Sequence, residues 1–203
     1  MDIPGWLQSW KTWAGIGAGL ALLGLGGRRV YRAYTVGNVQ IDPTGLATGY
    51  GRTYRITADD RLWLMRALLG EVGESGWSST ATRLGGAAVL WALMEGYLLR
   101  GHRNYSTLAS YARGYCQPIN PRWAVAGADK CLEYPQSCTA TQLARRARIA
   151  GWPLASVPSD LQQLVTSWSR GEVTNPVPGL TDWHASHWTG AVVEVAGNWF
   201  GAR

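Results

Sequence analysis

Lysine is nearly missing from this chain. Lys11 and Lys130 are the only two among 203 residues, so the net charge of +6 rests on arginine. Phenylalanine occurs once, as Phe200, beside 12 tryptophans. The cysteines and histidines do not form a zinc-finger spacing, because His184 and His187 lie far downstream of Cys116, Cys131 and Cys138. No glycine-rich phosphate loop and no basic helix with base-reading residues occur, which argues against nucleic acid as a partner. No metal and no cofactor is expected. The cysteines do allow one short bridge, Cys131–Cys138 around "CLEYPQSC", in an oxidising compartment. With Cys116 left over, the pairing stays open.

What is present fits one well-buried domain with an appendage. An arginine-carried positive charge favours anionic partners such as lipid headgroups or an acidic wall polymer. The tryptophans have two readings, core aromatics or sugar-stacking and interfacial side chains.

Residues 12–27, "TWAGIGAGLALLGLGG", carry no charge; Lys11 precedes them and Arg28, Arg29 and Arg32 follow. A helix of that length reaches about 24 Å, and interfacial flanks such as Trp6–Trp10 extend it towards the ~30 Å of a bilayer core. We read residues 1–35 as a hydrophobic, membrane-associated helix. Gly15 and Gly19, with Ala14 and Ala18, give it a small-residue face on which copies of the chain can pair, a homo-oligomer reading. A signal peptide would carry positive charge before the run and a small-x-small cleavage site after it, and neither is clear here. Residues 36–56, rich in Gly and Thr, read as a linker.

From residue 57 the pattern turns helical. Thr57 with Asp60 resembles a capping box, and Leu62, Met65, Arg66 and Leu69 follow at helical spacing, which predicts a helix from residue 58 to 70–72. A second helix over 84–100 is apolar on nearly every side and reads as the centre of the core. Further helices are expected at 105–115, 139–150 and 159–169. The tail "GAVVEVAGNWFGAR" alternates as a strand or hairpin does. The expected fold is mainly α, with a small C-terminal β element in a domain spanning 57–203.

The segment "LLGEVGESGW" puts Glu71 and Glu74 where the first helix ends and glycines begin. A carboxyl half-covered by aromatic side chains there has a raised pKa, as a general acid needs. A carboxylate nearby pushes the same way. The plain alternative is two solvated acids at a helix terminus.

"MRALLGEVGESGW" followed by "AAVLWALMEGYLLR" resembles the cell-wall hydrolase family typified by bacterial spore-cortex lytic enzymes. Three later stretches fit its order: "YSTLASYARGYCQPINPRW", "NPVPGLTDWHAS" and "VVEVAGNWFGAR". The likeness covers about residues 57–203. This chain has two residues between its glutamates where the family usually has three, and Trp199 follows Gly-Asn where His is common. "GESGW" separately resembles the Glu-Ser element of lytic transglycosylases, which would favour Glu74.

The resemblance implies a lysozyme-like α+β domain that cleaves the β-1,4 bond between N-acetylmuramic acid and N-acetylglucosamine in peptidoglycan. It implies one essential glutamate, with Glu71 as our choice and Glu74 as the alternative. Gln117 and Asn120 would bind acetamido groups or merely cap a loop. Thr181, Trp183 and His184 would line the cleft, Trp123 and Trp199 would stack on sugars or pack in the core, and Asn198 would bind substrate or backbone. The expected setting is a bacterial envelope or a phage virion, at a membrane reached through residues 12–27. A different class stays open: an inert virion or envelope protein using the scaffold to bind wall or penetrate membrane.

Overall fold

Thr57 starts the first helix of the domain, and the reason is local. In this computed structural model, which describes residues 39–184 and 189–201, its hydroxyl accepts from the Asp60 N–H at 3.1 Å. The Asp60 carboxylate in turn accepts from the Thr57 N–H at 2.8 Å, closing the capping box. Helix α1 runs over Ala58–Glu71. Asp60 is fully buried, and its remaining acceptor capacity takes the Ala109 N–H at 2.7 Å and the Tyr54 hydroxyl. One acid thereby joins three segments, which makes its burial tolerable.

Helix α2 spans Thr80–Leu99, starting earlier than apolarity alone predicts because Ser79 caps it, accepting from the Thr82 N–H. Its stretch from Gly85 to Leu98 is buried on every side, so it forms the axis of the core. Glu95 within it is also buried and accepts from the Tyr50 hydroxyl at 2.6 Å. Helix α3 covers Leu108–Tyr115, shorter than the 105–115 expected, because Thr107 and Ser110 form its capping box. Short helix α4 is Asp129–Glu133, α5 is Ala140–Ala150 behind the Thr139–Gln142 capping box, and α6 is Ser159–Trp168.

Residues 40–55, within the segment expected to be a linker, fold instead. β1 (Gln40–Ile41), β2 (Leu46–Gly49) and β3 (Arg52–Arg55) form an antiparallel meander, with Ile41, Ala47 and Ile56 in the core. Tyr50 and Gly51 turn β2 into β3 with φ of 53° and 71°, as a tight two-residue hairpin requires. The C-terminal β element is a second antiparallel sheet in the order β4 (Asp182–His184), β6 (Asn198–Gly201), β5 (Ala191–Val195). Ala196 and Gly197 make its two-residue turn, again with positive φ.

The described residues therefore form a mixed fold, helical with two small antiparallel sheets. Trp77, Trp91, Trp168 and Phe200 are core side chains, each contributing about 1.5–3 kcal/mol or more by burial. Cys131 and Cys138 are bridged, with Cα atoms 5.5 Å apart, and Cys116 is a buried free thiol. The chain divides into Met1–Ala33 and Tyr34–Arg203. The hydrophobic segment 12–27, and His187, lie outside the described residues. Among the described residues no helix is long and apolar enough to cross a membrane.

Candidate active site

Glu71 is the last residue of α1, and its side chain reaches a cleft of about 370 Å³. Two features hold it there. Gly70 permits close approach of the 117–119 turn, since a Cβ at that position would fall 2.2 Å from the Pro118 Cβ. The turn is thus near enough for the Gln117 backbone N–H to donate to the Glu71 carboxylate. From the other side, β4 brings the Trp183 indole N–H to 3.4 Å from Glu71 Oε2.

Burial pushes the Glu71 carboxyl up to about 7. The Trp183 N–H, the Arg145 charge and the Gln117 N–H pull it down without cancelling that effect. A carboxyl with a midpoint near neutrality holds its proton for part of the time at physiological pH and can give it up to a bound group.

Tyr115, at the end of α3, and Asp182, at the start of β4, share the cleft wall with Glu71, Trp183 and Gln117. Their rings and charges interlock. Tyr115 packs tilted on Trp183, ring centroids 5.3 Å apart, and its hydroxyl donates to Asp182. Asp182 also accepts from Arg100 at 3.0 and 3.1 Å and from the Thr181 hydroxyl at 2.6 Å. Burial alone would raise the Asp182 carboxyl, but the bonds from Thr181, Tyr115 and Arg100 outweigh it and hold the group below the usual range. The cleft therefore has two carboxyls driven apart, one with its midpoint near neutrality and one kept ionised. Asp182 has its acceptor sites occupied by three protein groups, which suits an anchor for Tyr115 rather than an attacking group.

Glu74 sits elsewhere. Arg145 Nε lies 3.0 Å from its Oε1, and Arg148 holds it through both terminal nitrogens. Hydrogen bonding to Arg148, then to Arg145, lowers its pKa despite some desolvation. Glu74 is not among the residues lining the cleft and stays ionised.

Of the residues singled out from sequence, the cleft gathers Glu71, Gln117, Trp183, His184 and Asn198. Asn120 is buried and caps its own loop, donating to the Gly114 carbonyl at 2.6 Å and accepting from the Arg122 N–H at 2.9 Å. Trp123 stacks on Tyr134 beneath the Arg146 guanidinium and does not line the cleft. Thr181 is buried against Asp182, and Trp199 pairs with His184 in the β4–β6 ladder without lining the cleft. Tyr115 and Asp182 had not been singled out. An acid directly before Trp183 in "LTDWH" is the one sequence signal for Asp182; its counter-charge, Arg100, is 82 residues away. Among the described residues no group of His, Cys, Asp or Glu is placed to hold a metal ion.

Compared with protein-family models, curated proteins and solved structures, the chain matches none.

Proposed function

We propose that this protein is a peptidoglycan-cleaving enzyme of lysozyme-like α+β architecture, with Glu71 as its single general acid and base. The observation that carries the reading is the Glu71 carboxyl, half-buried at a helix end in a polar and aromatic cleft, with a midpoint of about 7. Glu71 protonates the glycosidic oxygen as the bond from the anomeric carbon to that oxygen breaks. The resulting Glu71 carboxylate then accepts the proton of the sugar's own 6-hydroxyl as that oxygen bonds to the anomeric carbon. A 1,6-anhydro end forms and the acid is regenerated, as a lytic transglycosylase requires. Water in place of the 6-hydroxyl gives hydrolysis instead.

The saturated Asp182 supports one working carboxylate over the paired scheme. Gln117, His184 and Asn198 supply polar groups and Trp183 an aromatic face for sugar rings. The Cys131–Cys138 bridge supports action outside a reducing cytosol, at a bacterial wall or in a phage particle.

Purified sacculi treated with the protein, followed by mass spectrometry of the released muropeptides, test the reading. Anhydro or reducing ends are expected from the wild type. Glu71→Gln should lower the rate by at least about 100-fold, while Glu74→Gln keeps measurable cleavage. Equal activity in wild type and Glu71→Gln removes the proposed acid. Binding of sacculi without cleavage by the wild type would favour the inert scaffold.

A further inference from the structure

The end of α1 is held by something other than the cleft. The last carbonyls of a helix have no partner within it. Here the Leu68 carbonyl accepts from Val72 and Gly73 N–H, while the Leu69 and Gly70 carbonyls face Arg145 Nη2 at 3.5 and 3.3 Å. The same guanidinium donates through Nε to Glu74 at 3.0 Å. Glu74 is shared with Arg148, whose guanidinium lies over the Trp152 ring, 5.2 Å from its centroid. Helix α5, which carries both arginines, packs on α1 and on the 117–119 turn that donates to Glu71. One cation thus touches the backbone immediately before Glu71 and belongs to the helix that supports its hydrogen-bond donor.

We infer that Arg145 is a positioning residue for Glu71: clamped by Glu74, it pins the last carbonyls of α1 and sets a positive charge behind the carboxyl. The inference rests on the reading of Glu71 as the acid and adds a regulator of its working pH. A guanidinium suits this place because Nε serves a carboxylate and Nη2 two carbonyls from separate points of one rigid plane, whereas an ammonium offers all its donors from one point. Its charge also complements the negative end of α1.

The charged and titratable groups around Glu71 leave the sign of each change readable. Arg145 and Arg148 come from α5, Glu74 from the loop after α1, Tyr115 from α3 and Cys116 from the turn that follows it. Asp182 and His184 come from β4. Arg145 favours the ionised form of Glu71, and Glu74 compensates part of that charge. Removing the cation should raise the Glu71 midpoint; removing its counter-ion should lower it.

The decisive measurement is a carboxyl ¹³C titration by NMR on protein labelled at glutamate, with the Glu71 signal assigned by its loss in Glu71→Gln. It needs no substrate, so it stands or falls separately from the proposed activity. The wild-type midpoint should lie near 7. Arg145→Gln should raise it by roughly half a pH unit or more, and Glu74→Gln should lower it. Arg145→Lys keeps the charge but not the fork. It should leave the midpoint close to wild type while lowering kcat about three- to tenfold at unchanged KM on sacculi. If Arg145→Gln does not fold, Glu74→Gln carries the same test. A Glu71 midpoint that stays at its wild-type value in both Arg145→Gln and Glu74→Gln, or in whichever of the two folds, overturns the inference. So does a loss of activity that only follows the folded fraction seen by circular dichroism.

Discussion

Glu71→Gln should make the protein more stable at alkaline pH while removing its proposed activity. The carboxyl titrates at about 7 in the fold against 4.5 for the free group, so the folded chain binds this proton more tightly than the unfolded one. Stability from that preference is complete below about pH 4.5 and is lost as pH rises through 7. The difference of 2.5 between those values, at ~1.36 kcal/mol each, gives an upper value of about 3.4 kcal/mol. Glu71 lines the cleft and is only partly buried, so solvent screens its ionised form and about 2 kcal/mol is expected. Glutamine keeps the shape and never ionises. For a domain of this size, about 2 kcal/mol corresponds to a Tm gain of roughly 4–8 °C. Scanning calorimetry of wild type and Glu71→Gln at about pH 3.5 and about pH 8.5 should show near-equal Tm values at the first and the full gain at the second. A Tm difference that does not change with pH would refute the claim that Glu71 is held in its neutral form by burial. The same result would remove the main support for a general acid at that position.

Gly70→Ala should cost about 1–3 kcal/mol in denaturant unfolding, because the new Cβ meets Pro118 and forces the 117–119 turn away. Cleavage should fall with it, since the Gln117 N–H leaves Glu71. Asp182→Asn removes the charge on which Arg100, Tyr115 and Thr181 converge, and should destabilise the fold by about 3 kcal/mol at neutral pH. The depressed Asp182 midpoint means that this stabilisation is present above the unfolded value of 3.8 and is lost as pH falls through the folded one. Wild type and variant should therefore converge in acid, as read by circular dichroism melts. Replacing Cys131 and Cys138 by Ala opens a loop with a sequence separation of 7 and should cost about 2–3 kcal/mol, measured by urea unfolding.

The helices of this domain are legible because their signals are short-range. Thr57 and Asp60, or Thr139 and Gln142, bond within one turn, and apolar spacing marks the buried face from the residues themselves. The start of α3 was less legible, because Ser110 closes its capping box in place of the usual Glu or Gln. The meander at Gln40–Arg55 was hidden for a related reason. Its strands are two to four residues long, mostly solvent-facing, and divided by glycines that a flexible linker shares.

Local chemistry along the chain was enough to put Glu71 at a helix end, and the family resemblance brought Gln117, Trp183, His184 and Asn198 into view beside it. Helix-end position and motif order favoured Glu71 over Glu74, three positions away, without showing how the surroundings of two identical side chains differ. Packing separates them. Burial drives one carboxyl towards its neutral form, and the N–H groups of Trp183, 112 residues downstream, and of Gln117 only partly offset it. Arg145 and Arg148, more than 70 residues downstream, hold the other ionised at the surface. A carboxyl's proton affinity depends on what surrounds it in space, and those neighbours come from segments far apart along the chain.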